Sequence, residues 1–132
     1  MRLDELMDEL FTVLEDVPGL NTVEAGVTRV SPPAPYIDLP NITYGSMGPG
    51  LDRIPDLELV VYFGQPTERG VFRDALEYAS TSGPRSIPAA LAAHEWTTCH
   101  TLRVGSAERT VDNVNGHPAL GYVFHLDITG AP

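Results

Sequence analysis

Apolar side chains recur at spacings of three and four through the first seventeen positions. Leu3, Leu6, Met7, Leu10, Leu14 and Val17 form one stripe, which Phe11 and Val13 widen. This is the period of an amphipathic helix with one face on a core. Asp4, Glu5, Asp8, Glu9, Glu15 and Asp16 fill the other face. Asp4 and Glu5 suit the positive end of the helix dipole, whereas Glu15 and Asp16 oppose its negative end. Val17-Pro18-Gly19 ends the helix, because proline cannot continue it and glycine permits the reversal. The acidic face reads either as solvated surface or as a charged wall turned toward a partner or polyanion.

The period then changes. Residues 22–30 carry β-branched side chains and predict a strand. The segment 31–35 is proline-rich, extended and expected to break pairing, and Tyr36 to Leu39 predicts a short edge strand. From Asn41 to Pro55 there is little periodicity, and Gly45, Gly48, Pro49, Gly50 and Pro55 punctuate the chain. Loops of this length are commonly functional, so the segment reads as a partner-contacting loop or a plain connector. Leu57 to Phe63 is a nearly continuous apolar run, expected as a central strand covered on both faces. Thr67 offers an N-cap to a second helix marked by Val71, Phe72, Ala75, Leu76 and Ala79. Gly83-Pro84 stops that helix, and Ser86 caps a short third one over 87–93, with Pro88 in its first turn.

His100 to Val104 predicts a strand, followed by a polar stretch from Gly105 to Asn115. From Ala119 to Thr129, Leu120, Tyr122, Phe124, Leu126 and Ile128 alternate with Gly121, Val123, His125, Asp127 and Thr129. That alternation is the clearest strand pattern in the chain, and Asn115-Gly116 before it signals a β-hairpin. The sum is an α+β domain spanning 1–132. Its sheet is mixed or mostly antiparallel, with the N-terminal helix and one or two further helices packed on one face and a C-terminal β-hairpin.

Composition narrows the function. With 132 residues, 42% hydrophobic and 20% charged, the chain has the size and balance of one folded domain. No apolar run approaches the roughly 18 residues of a membrane span, and the acidic N-terminus is unlike a signal peptide. The lone Cys99 cannot form an internal disulfide, so the expectation is a protein made in a reducing cytoplasm. The formal net charge is -10, and all eight basic residues are arginine. Without lysine there is no Walker phosphate loop and no lysine Schiff base. The basic field on which non-specific nucleic-acid binding depends is missing as well.

In His94-Glu95-Trp96-Thr97-Thr98-Cys99-His100, a zinc-protease helix would need a second histidine four positions after His94, where Thr98 stands. Cys99 and His100 are adjacent, so in a strand they point to opposite faces, and no second cysteine exists to complete a thiolate site. The expectation there is a helix-to-strand connection containing a buried Trp96. A nucleophilic Cys99 would need His117 or His125 brought beside it. The glycine-rich 45–50 segment precedes no helix, so it reads as a turn rather than a phosphate cradle. No Gly-x-Ser-x-Gly elbow is present, and Asn41-Ile42-Thr43 matches a glycosylation sequon without any sign of secretion. The reading is of a non-enzyme with no catalytic, cofactor or metal residues.

Several strings in their order carry a family resemblance. The helix ends at Pro18-Gly19-Leu20, and a proline-rich segment leads to Tyr44-Gly45 and Gly50-Leu51-Asp52-Arg53 before the apolar strand. Then come Gly64, Thr67, Val71-Phe72-Arg73-Asp74-Ala75-Leu76 and the segment from Ser82 to Leu91. This arrangement resembles the tail terminator, or tail completion, proteins of long-tailed phages of actinobacteria. The resemblance implies a virion protein, made in the host cytoplasm, forming a homohexameric ring at the head-proximal end of the tail. Such a ring ends polymerisation of the major tail tube protein and joins the tail to the head–tail connector or stopper. DNA passes through its lumen without specific binding, no membrane is involved, and no active site is implied.

An alternative is another neck ring, a head–tail stopper or connector; a more distant one is a small acidic cytosolic binding or inhibitor domain. The 41–55 loop supplies the expected partner contacts: Met47, Leu51, Asp52 and Arg53. Leu51 is apolar in a polar segment and is flanked by paired charges.

Overall fold

The computed structural model describes residues 2–20, 33–44, 52–114 and 116–130. The strand expected over 22–30 lies outside the described residues, as do Met47 and Leu51. In chain order the elements are α1 (Leu3–Glu15), β1 (Ala34–Ile37), β2 (Arg53–Gly64), α2 (Val71–Ala79), α3 (Ile87–Ala93), β3 (Thr101–Val114) and β4 (His117–Thr129). The four strands form one sheet in the order β1-β2-β4-β3, with every pairing antiparallel. The α+β class and the C-terminal hairpin therefore stand as expected. None of the described helices is long and apolar enough to cross a membrane.

One core joins the layers. Leu6, Leu10, Val13 and Leu14 of α1 pack in the same cluster as Val71, Ala75 and Tyr78 of α2 and Ile87 and Leu91 of α3. The sheet supplies Leu57, Leu59, Val61 and Phe63 from β2 and Phe124, Leu126 and Ile128 from β4. Each large side chain fully buried here contributes about 1.5–3 kcal/mol relative to exposure. At Gly121 an added Cβ would collide with the Val61 carbonyl oxygen, so only glycine fits. The Tyr62 ring lies beside that position, and its hydroxyl donates to Asp112 at 2.9 Å.

Several boundaries differ from the sequence reading. β1 starts at Ala34 and ends at Ile37, and Pro35 pairs opposite Val61 instead of breaking the ladder. An edge strand tolerates proline because half of its N–H groups need no partner. β2 is central in the sheet but is covered on one face only: Leu57, Leu59 and Val61 are buried while Glu58 is exposed. It begins at Arg53, where a loop was expected, and a register shift between Ile54 and Leu57 takes up Pro55 and Asp56 as a bulge.

α2 is capped by Gly70 at φ 87°, not by Thr67. Its Phe72 and Leu76, expected in the core, are 72% and 46% exposed. β3 runs to Val114, past the Val104 end of the expected strand and through the polar stretch that follows it. There Ala107, Glu108, Arg109 and Val111 are exposed although they pair with β4. The helix layer does not reach this half of the strand, so neither face had to be apolar.

Candidate functional site

Two polar centres stand out. The first is built on Glu9 of α1, whose side chain is only 12% exposed. It faces the connection between α3 and β3, the segment that holds the histidine and cysteine candidates. The Thr97 and Thr98 backbone N–H groups donate to its carboxylate at 3.1–3.2 Å. The hydroxyls of Thr97 and Thr98 donate at 3.1 and 2.6 Å, and His94 Nε2 lies at 2.8 Å. Burial opposes the charged form of Glu9, but the bonds from Thr98, His94 and Thr97 outweigh it and bring its pKa down to about 2. An ionised carboxylate only accepts, so His94 Nε2 carries a hydrogen.

The neighbouring groups follow from this clasp. The His94 ring stands edge-on to Trp96 with centroids 4.7 Å apart, and Trp96 Nε1 donates to the Leu91 carbonyl at 3.1 Å. Trp96 is partly rather than fully buried. Cys99 is buried, and burial followed by the Glu9 charge pushes its thiol up to about 11. A neutral thiol at physiological pH is a poor nucleophile and a poor ligand. His100 is exposed while Cys99 points inward, the opposition expected of adjacent residues. His117 begins β4 and lies about 40 Å along the strand from Thr129, which pairs beside the Cys99 segment. His125 lies between the inward-facing Phe124 and Leu126 and so points to the other side of the sheet from Cys99. Among the described residues no nucleophile–base pair forms around the cysteine.

The second centre lies on that outer face. His125 of β4 pairs directly across from Glu58 of β2, and the β2 bulge brings Asp56 to the same place. His125 Nδ1 lies 2.7 Å from an Asp56 carboxylate oxygen, and Nε2 lies 3.5 Å from Glu108 of β3. The Asp56 hydrogen bond, assisted by the two negative charges, raises the imidazole above its ordinary range against the effect of burial. An open cleft of about 450 Å³ adjoins this cluster and is lined by Asp38, Leu39, Pro40, Asn41, Pro55, Asp56 and Glu58. The centre is not legible in the sequence. The outward position of His125 in β4 was visible, but its neighbours depend on strand order and register.

The residues expected to meet a partner fall differently. Asp52 precedes β2, and its carbonyl accepts the Gly130 N–H at 2.8 Å. Arg53 is not a loop residue. It opens β2, exchanges two 2.8 Å backbone bonds with Thr43, and holds Asp127 in a two-pronged contact at 3.1 and 2.9 Å. Comparison of the chain with protein-family models, with curated proteins and with solved structures finds no match in any of the three.

Proposed function

We propose that this chain is a structural virion protein of the tail-terminator kind, acting by shape and self-association without making or breaking a bond. In this reading identical subunits form a ring, six in number by the family resemblance, on the head-proximal end of the tail tube. The ring stops growth of the tube protein and offers a docking face to the head–tail connector.

The observation that carries the reading is β3, which among the described residues pairs on one side only, with β4. It is a 14-residue strand at the border of the sheet, and its distal half is exposed beyond the helix layer. Open strand edges are ready-made surfaces for pairing with another chain. The exposed Phe72 and Leu76 on α2 add apolar contact surface of the kind that marks protein interfaces. A net charge of -10 without lysine suits the wall of a channel that DNA must traverse without sticking. Asp52 and Arg53, at the start of β2, remain proposed neighbour contacts.

The test is electron microscopy of the purified protein mixed with isolated tail tubes. Rings seated at one tube end are expected. Arg109→Glu with Val111→Asp alters only exposed positions of the β3 edge, so the variant should melt like the parent yet fail to form rings. Normal rings from that variant would remove the β3 edge from the interface. Binding to filled heads but not to tubes would point to a stopper or connector instead, and binding to neither would end the proposal.

A further inference from the structure

We propose that Asp56, Glu58 and His125 form a binding site for one divalent transition-metal ion of the zinc class on the outer face of the sheet. The proposal is independent of the ring. Each of the three side chains offers one ligand atom, and the three atoms lie within 4.8 Å of one another. A tetrahedral zinc ion with bonds of about 2.1 Å holds its ligand atoms about 3.4 Å apart. Closing on the ion thus takes shifts of about an ångström, and the two carboxylates are exposed enough to make them.

The donor set selects the ion. One imidazole with two carboxylates suits zinc and its neighbours, whereas magnesium and calcium favour oxygen-only shells. Glu108 adds a feature found around metal-bound histidines. It sits 3.5 Å from Nε2, the nitrogen left over when Nδ1 binds the ion. A carboxylate in that position accepts the remaining N–H and fixes the ring's orientation.

The backbone is shaped around this point on both sides. β2 bulges at Pro55 and Asp56, and β3 bulges at Gly105, between the partners of Leu126 and His125. Bulges commonly re-aim side chains beside functional sites. Three protein ligands leave a fourth position open, and the adjoining cleft has room there for water or an incoming donor. Because the ligands come from β2 and β4, the ion would also stabilise the folded chain by mass action.

Titration calorimetry of the full chain with zinc chloride at neutral pH tests this, with cobalt(II) absorption as a report on coordination. One ion per chain is expected, together with the intense visible bands of a four-coordinate cobalt site and a rise in Tm. His125→Ala and Glu58→Gln, both at positions outside the core, should each weaken binding at least tenfold. His100→Ala, which removes an exposed histidine elsewhere, should leave it unchanged. If His125→Ala does not fold, the Glu58→Gln result decides. Absence of binding at millimolar zinc, or binding that survives both site variants, overturns the proposal.

Discussion

Glu9 shows how much one side chain can do once its surroundings are fixed. It sits on the face of α1 expected to be acidic surface, yet it closes the joint between that helix and the 94–98 segment. Its folded pKa of about 2 lies below the ordinary value of 4.5. The sign follows: the contribution is complete above the unfolded pKa and is lost as pH falls from about 5 toward 2, a loss of roughly 3 kcal/mol. Glu9→Gln should lower stability at pH 7 by about 2–4 kcal/mol, because an amide cannot replace an ionised acceptor for so many donors. Urea unfolding at pH 7 and pH 3 checks this, and the variant should lose less than the parent on acidification. Equal midpoints for the two proteins at pH 7 would refute the role. Nothing local distinguishes Glu9 from its neighbour Asp8. The difference is the rotation of α1 against a segment almost ninety residues away.

Among the elements, α3 is the one whose start was most legible. Ser86 was expected as its cap, and its hydroxyl oxygen accepts the Ala89 N–H at 3.0 Å while donating to the Ser80 carbonyl. Ser86→Ala should therefore cost about 1–2 kcal/mol, with amide exchange quickening first at the start of α3. An unchanged melting temperature would contradict that account. α1 and the hairpin of β3 and β4 were legible for the same reason, since cap residues, turn residues and periodicity are short-range facts. The start of α2 was not, because Gly70 in the left-handed region overrides the better hydroxyl cap at Thr67. The outer half of β3 was equally hidden. A strand with water on both faces carries no alternation to read.

At the scale of the whole molecule, Leu59 and Phe124 face each other across β2 and β4, and neither is exposed. Leu59→Asp or Phe124→Asp would place a carboxylate with no partner between three helices and the sheet, at a cost of several kcal/mol. Neither variant should show a cooperative thermal transition by circular dichroism. A soluble, sharply melting Phe124→Asp protein would mean that this core is wrongly drawn. Among the described residues β1 and β3 border the sheet, so the assembly proposed above would rest on the whole sheet rather than on a motif. Its acidic charge acts at this scale too, as a repulsive field toward phosphate.

By itself the amino-acid sequence determined the local periods and punctuation: the buried stripe of α1, the cap of α3, the hairpin turn and the inward set of β4. It also determined the chemistry that is missing, since a chain without lysine and with one cysteine forgoes whole classes of mechanism. Only the tertiary structure decided which strands are neighbours, where the bulges fall, and that Asp56, Glu58 and Glu108 surround His125. It likewise decided that Glu9 is a clasp and Arg53 a strand residue tied to Asp127. Side-chain period is set by bonds a few residues long. Register is set by packing between segments up to about ninety residues apart, where a slip of one residue exchanges the two faces of a strand.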